Sequence, residues 1–476
     1  MDERYDLCVV GAGTAGFAAA QYAQSHGKSV LLVSGPGELG GTCIRRGCMP
    51  AKTLLSSTER LGEVEAASRL GIAVDAEHVD LGAIVARKRE LVDYFTADRV
   101  HELERYPLAR GRARFVAADA IAVDGRRIAA DAFVIATGSQ IVAPPIAGLE
   151  QGDYMTSDDA LEVTRAPKRL AVLGGGPVGC EFAQYFARLG SRVTLLQAEA
   201  TLLRNEDPDV GEAVARALRH DGVDVRTHSE TTSVAREANA RTVVFRDAAG
   251  THELHVDAIL LASNRLPNVA TLGLEAAGIA YDAHGIAVDE ALRTTNPRVF
   301  AAGDVLGRRC LVHVAFYAGR LAARNALDGG NVAADFDRFE AHAVYTQPQV
   351  AVAGLTESAC RERGIAVAVR RHPFSDVGKA LVSDTAAGFV KMIAEPNGRI
   401  RGVAIVGDDA IDLIGEAIVL IHRGATTSDV VDMPHLHPTL GEIFARVADD
   451  FDCPEDAQLE VPENPLVPVG AGAPHR

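Results

Sequence analysis

A strand, a glycine-rich turn, a helix and a second strand follow one another twice in this chain, about 160 residues apart, and nothing else in the sequence restricts the fold as tightly. In the first copy Asp6 to Val10 reads as a strand and Gly11-Ala12-Gly13-Thr14-Ala15-Gly16 as the turn. A helix then runs to Gly27, a suitable C′ stop, and Ser29 to Val33 is the second strand. In the other copy Leu170 to Leu173 leads into Gly174-Gly175-Gly176-Pro177-Val178-Gly179. A helix ending near Gly190 and a strand from Arg192 to Leu196 follow. A lone Gly-x-Gly-x-x-Gly is weak evidence in a chain with 45 glycines, but here each copy follows a strand and opens a helix. The glycines let the backbone approach a pyrophosphate, which sits where the helix leaves N–H groups unpaired and its dipole favours an anion. Two such units imply an α/β protein with two dinucleotide sites.

At 476 residues several domains are expected, since one core rarely grows past ~250–300 residues. Net charge is −16 with no long basic run, which argues against nucleic acid or an anionic membrane as partner. No apolar run reaches the ~18 residues of a membrane span. The start, Met1-Asp2-Glu3-Arg4, lacks a basic n-region, so a cytoplasmic location is expected. Residues 84–105 read as a charged, solvent-facing helix, and Pro144-Pro145 as an interdomain connection.

Seven cysteines in so long a chain do not make a structural disulfide framework. Cys8, Cys180, Cys310 and Cys360 read as buried small hydrophobes. Cys43 and Cys48 differ. They lie just downstream of the first glycine turn, in Gly40-Gly41-Thr42-Cys43-Ile44-Arg45-Arg46-Gly47-Cys48-Met49-Pro50-Ala51-Lys52. A thiol pair beside a bound dinucleotide can take its electrons and pass them on. In a straight helix residues five apart rise ~7.5 Å and turn about 140°, leaving Cα atoms roughly 8–9 Å apart, too far for a disulfide. Pairing therefore needs a distorted first turn, which Gly47 and Pro50 permit. Arg45, Arg46, Lys52 and a helix N-terminus would favour the thiolate. Zinc would want a second Cys-x-x-Cys or a His pair, so a metal site is the weaker reading.

By this point the chain resembles the FAD-dependent pyridine nucleotide-disulfide oxidoreductases over residues 5–450, a family that includes dihydrolipoamide dehydrogenase, glutathione reductase and mercuric reductase. Four further segments carry the likeness: Ala136-Thr137-Gly138, the run Thr295 to Asp304 ending in Gly303-Asp304, Gly388-Phe389-Val390-Lys391, and His437-Pro438-Thr439-Leu440-Gly441-Glu442. The resemblance implies two Rossmann-like domains, for FAD and NAD(P), plus a C-terminal α+β dimerisation domain. Its expected divisions are FAD 1–150 and 286–337, NAD(P) 151–285, dimerisation 338–460, and a mobile tail 461–476. It implies FAD at Gly11, Gly13, Gly16, Ser34, Gly41, Thr42, Thr137, Gly138, Gly303 and Asp304, and the nicotinamide cofactor at Gly174, Gly176, Gly179 and Gln197. Cys48 becomes the thiol beside the flavin and Cys43 the interchange thiol. Lys52 and Glu181 pair near the flavin. His437, oriented by Glu442, becomes the acid–base group, supplied across a homodimer. His435 is either an active-site contact or structural.

Several positions depart from the family pattern. Ser34 stands where a Glu usually binds the FAD ribose, and Glu38 is a substitute from the loop. Asn264 replaces a Gly, in a turn that Asn tolerates. Gln197-Ala198-Glu199 carries no arginine, and Glu199 would repel a 2′-phosphate. Gly179 also favours NAD, whereas Arg204 points to NADP; on balance NAD is expected, with NADP open. Pro177 replaces the gating Tyr of glutathione reductase. Cys453 is a single cysteine where mercuric reductase would need a C-terminal pair. The run His435 to Leu440 is similar to that of dihydrolipoamide dehydrogenase. The expected reaction is oxidation of a small-molecule or lipoyl-carried dithiol. The alternatives are reduction of another disulfide or a metal ion, and a non-catalytic flavoprotein subunit. Arg45 and Arg46 hint at an anionic substrate or pair with nearby carboxylates.

Overall fold

Apolar runs at Arg4–Val10 and Val30–Ser34 form neighbouring parallel strands, with Cys8 opposite Leu31. Every residue of Val30–Ser34 is buried, as suits strands covered on both faces. Leu108–Arg110 extends this sheet on one side and Arg126–Ile135 on the other. The last three residues of Arg126–Ile135 pair in parallel with Val299–Ala301, so a strand from late in the chain closes the sheet of the first glycine unit. The structure is a computed structural model describing residues 4–37, 39–74, 79–150, 152–236, 240–263, 265–308, 310–337 and 340–452. Glu38, Asn264, Cys453 and the tail at 461–476 lie outside them.

The second glycine unit repeats the arrangement. Its parallel sheet runs Asp224–Arg226, Arg192–Leu196, Arg169–Leu173, Ala258–Leu261, beside an antiparallel sheet of Glu230–Arg236, Arg241–Asp247 and Gly250–Val256. The last part is antiparallel, in the order Ala341–Val344, Gln349–Gly354, Ile400–Gly407, Phe389–Ala394, Ala368–Pro373. Helices Ala410–Arg423 and Glu442–Asp449 pack on it. Lys391, on its strand Phe389–Ala394, is buried and reaches Asp207 and Asp209 at 3.0 Å each, tying this sheet to the second glycine unit.

The expected charged helix is Leu81–Leu103, capped by the Asp80 carboxylate, which accepts the Ala83 N–H at 3.0 Å. Helix Cys48–Ala66 places the site. Its Leu54 and Leu55 share one core with Phe182 and Phe186 of helix Pro177–Arg188 and with Val344 and Val350 of the last sheet. Among the described residues no helix is long and apolar enough to cross a membrane.

Candidate active site

The two glycine turns have the same local geometry. Gly11 and Gly174 adopt φ +117° and +112°, a region that excludes most side chains. A Cβ on Gly16 would lie 1.8 Å from the Gly11 carbonyl oxygen, and one on Gly179 1.9 Å from that of Gly174. Gly13 and Gly176 instead face open space. Neither following helix, Thr14–Ser25 or Pro177–Arg188, has a side-chain N-cap. Their first N–H groups are therefore left for an anion.

A cavity of about 280 Å³ starts at Gly13, Thr14 and Ala15. It passes Thr42, Cys43 and Cys48, reaches Lys52 and Glu181, and is closed by Gly138, Gly303, Asp304 and the start of helix Val312–Asp328. Gly41 (φ +77°) brings the cysteine segment in, since a Cβ there would stand 3.1 Å from Gly13 Cα. The cysteines sit where the helix breaks. Helix Gly41–Arg46 ends, Gly47 turns the chain, and Cys48 is the first residue of helix Cys48–Ala66. A Cβ on Gly47 would meet Cys43 Cα at 3.0 Å, so glycine lets the two turns close on each other.

Both cysteines are reduced in this structure, and their acidities are driven apart. The Cys43 thiol is pushed up by the hydrogen bond to Cys48 and by burial. Cys48 is pulled down to about 6, first by that hydrogen bond and then, against the cost of burial, by the Lys52 ammonium. Among the charges that bear on Cys43, the Arg99 guanidinium lowers it. Arg46 lies 3.7 Å from Asp158, and the stem of Arg45 covers Gly40.

Lys52 Nζ donates to both oxygens of Glu181 at 2.7 Å. Glu181 is only 3% exposed, and a buried carboxylate requires such a partner. It also accepts the Tyr345 N–H at 2.9 Å, and the Tyr345 ring lies under the ammonium, 4.3 Å from its centroid. The face of helix Pro177–Arg188 at Glu181, Gln184 and Arg188 thus receives the loop after Ala341–Val344. Gln184 exchanges two hydrogen bonds with the Gln347 backbone (2.7 and 2.8 Å), and Arg188 donates to the Gln347 side chain at 2.6 Å.

His437 Nδ1 and Glu442 Oε1 are 2.8 Å apart, and Glu442 Oε2 accepts the Thr439 N–H at 3.0 Å. These two bonds hold the Glu442 carboxyl below its ordinary range, so it is a carboxylate and Nδ1 is the donor. Nε2 is left as a base. The His437 side chain is 77% exposed and is not among the residues lining the cavity of its own chain. His435 Nε2 lies 2.9 Å from Glu416 and its side chain is mostly covered.

Other expected residues have partners within the chain. Thr137 spends its hydroxyl on the Asn268 carbonyl, 2.9 Å away. Gln197 is buried against the second turn, accepting the Gly175 N–H at 2.9 Å. Ser34 is buried at the end of its strand. Asp304 accepts from Ser139 at 2.8 Å, which in turn accepts from Arg265. Cys310 is a correction: it is exposed and lines the cavity instead of packing in a core. Sequence reasoning gives Cys310 no site role and does not reach Tyr345. Tyr345 leaves a sequence signal only through the 181/184/188 helix face it docks against.

Two turn-and-helix units with open anion positions, a thiol pair between them and a separate His–Glu pair match known proteins along nearly the whole chain. The model of the pyridine nucleotide-disulphide oxidoreductases matches residues 5–319, and that of their dimerisation domain residues 341–448. The chain belongs to this family. It is 36% identical to a mercuric reductase of Streptomyces lividans over 94% of this chain and 96% of the other. It is 34% identical to a dihydrolipoyl dehydrogenase of Bacillus subtilis over 92% and 96%. In structure it resembles the Cu(II) complex of RclA, an HOCl-induced flavoprotein disulfide reductase of Escherichia coli, with a TM-score of 0.83, 28% identity, and 94% and 99% of the two chains covered. The family uses FAD and a nicotinamide cofactor. The open space at Gly13, the uncapped helix start and the cavity leading from it to Cys48 fit such a dinucleotide.

Proposed function

We propose that this oxidoreductase is NADH-linked and exchanges electrons with a dithiol–disulfide substrate in the manner of a dihydrolipoyl dehydrogenase. The observation that carries the reading is the thiol pair itself: Cys43 and Cys48 face each other across the helix break at Gly47 and line the cavity with Lys52, whose ammonium pulls the Cys48 thiol down. Gly13, Thr42, Gly138, Gly303 and Asp304 would hold FAD, and Gly174, Gly176 and Gly179 the nicotinamide cofactor. Bound FAD supplies two-electron transfer between the nicotinamide and the Cys48 sulfur.

The remaining steps belong to the side chains. A dithiol gives two electrons and two protons; NAD takes both electrons and one proton as hydride, and one proton reaches solvent. His437 Nε2 takes the substrate thiol proton while Glu442 stabilises the imidazolium. The freed thiolate attacks Cys43 of the Cys43–Cys48 disulfide, and Cys48 leaves as the thiolate its surroundings favour. Because His437 faces outward, the dyad of one protomer would complete the cavity of its partner in a homodimer, through the dimerisation domain. The same thiol pair would serve a reductase of another disulfide or of a metal ion.

Lipoamide-dependent oxidation of NADH by the FAD-loaded protein, run beside NADPH, tests this reading. Rapid turnover with NADH is expected. Flavin reduction by NADH without lipoamide turnover would overturn the substrate assignment and move the search to other disulfides and to Hg(II).

A further inference from the structure

Lys52 stands between two cavities. In front is the one that contains Cys48; behind is a second, of about 170 Å³, lined by Glu59, Tyr185, Arg188, Tyr345 and Gln349. An ammonium on a flexible four-carbon stem could turn either way. To the front lie Glu181 and the Cys48 sulfur. To the rear lies Glu59, a second carboxylate, in a space large enough for water. Two contacts hold the ammonium forward: the bidentate bond to Glu181 and the ring of Tyr345 beneath it. Tyr345 is itself fixed, because its backbone N–H donates to that same Glu181. Its phenol stays neutral, raised by burial and by Glu181, Cys48 and Asp412, so the ring presents an electron-rich face to the cation.

We infer that Tyr345 is a positioning residue for the redox centre: its ring closes the rear cavity to the Lys52 ammonium and keeps that charge on Cys48. The inference rests on Cys48 being the redox thiol. It extends the role of the C-terminal domain to setting the charge balance of a thiol in the same chain. Cys43, Lys52, Glu181 and Tyr345 act on Cys48 most closely; Arg46, Arg265, Asp304 and Cys310 line the same cavity, Asp412 acts on Tyr345, and Glu59 and Arg188 face the rear cavity.

The test is the pH dependence of alkylation at Cys48 in the dithiol-reduced, FAD-loaded protein, with Cys48 and Cys43 resolved by peptide mass spectrometry. This titration does not involve lipoamide, so its failure and that of the substrate assignment are separable. Tyr345→Leu, which keeps volume but loses the ring, is expected to move the Cys48 midpoint up by about half a pH unit, roughly threefold slower alkylation below it. Tyr345→Phe should keep the parent profile, and adding Glu59→Gln to Tyr345→Leu should recover part of the shift. In a Lys52→Gln background Tyr345→Leu should add nothing. An unchanged midpoint in Tyr345→Leu overturns the inference, as does an equal loss in Tyr345→Phe or a shift that persists without Lys52. Where Tyr345→Leu loses flavin, Tyr345→Met replaces it in the same comparison.

Discussion

The first and second glycine units share a backbone and differ in the side chain two residues past the third glycine. After Gly16 that residue is Ala18, 1% exposed. After Gly179 it is Glu181, 3% exposed. Helix Thr14–Ser25 packs against helix Val312–Asp328 so closely that a Cβ on Gly319 would stand 2.0 Å from the Ala15 carbonyl oxygen. Helix Pro177–Arg188 packs instead on helix Cys48–Ala66, which brings Lys52 to Glu181. The turn is therefore a reusable anion cradle, and the chemistry of each copy is decided by which helix covers it.

Exchanging these positions is the strongest test of that view. Ala18→Glu would bury a carboxylate where the first unit is packed with small apolar residues, an expected loss of about 3–5 kcal/mol. The outcome should be little soluble flavin-containing protein. Recovery of a normal flavin-to-protein ratio from this variant would show that the two helices are interchangeable.

Next in size is the tightness of the turns. A Cβ on Gly11 would lie 2.1 Å from the Ala136 carbonyl oxygen, while one on Gly174 would lie 2.9 Å from that of Ala262. Both substitutions carry backbone strain of about 1–3 kcal/mol, and Gly11→Ala adds an overpacking cost of similar size. Gly11→Ala should lose flavin on purification. Gly174→Ala should keep it and raise the KM for NADH. Equal flavin loss in both would remove the distinction.

Glu181→Gln sharpens the comparison at the redox centre. Lys52 would keep only a neutral partner, and because its side chain is 27% exposed the cost is about 1–3 kcal/mol, less than for a fully buried pair. The Glu181 charge also holds the Cys48 thiol up, so its removal should take that thiol below about 6. The reactive thiolate is the form present above its pKa, so alkylation of Cys48 should persist to lower pH in this variant. A profile moved to higher pH would mean that Glu181 acts mainly by holding Lys52 in place.

The parts of this site that were legible in the sequence are those in which one segment does all the work. Both turns, the helix break at Gly47 and the His437–Glu442 spacing are local patterns, and the structure places them as the residues suggest. What was not legible depends on segments far apart in the chain. Thr137 donates its hydroxyl proton to the Asn268 carbonyl, a partner 131 residues away. Lys52 and Arg99, which act on the two sulfurs, come from a later turn of the cysteine helix and from the helix Leu81–Leu103. Cys310 looks like any small core residue, and only the closure of the sheet by Val299–Ala301 brings it to the cavity.

The smallest expected effect lies at the strand ends, where the units diverge again. Ser34 closes its strand buried and neutral, whereas the strand Arg192–Leu196 leads to Gln197, committed to the Gly175 N–H, and then to Glu199. Glu199 lies 3.5 Å from Arg204, and both side chains are exposed. A 2′-phosphate approaching this edge meets a carboxylate and an arginine already engaged with it. Glu199→Ala would remove the repulsion and release Arg204 at once. Each is an exposed interaction worth about 0.2–1 kcal/mol, so the ratio of kcat/KM for NADPH to that for NADH should rise by a factor between roughly 2 and 30, and less at high salt. FAD content should not change, because the substitution lies in the second unit only. A ratio that stays fixed would mean that Glu199 and Arg204 lie outside the ribose edge, leaving Gln197, through its hold on the turn, as the residue that sets cofactor choice.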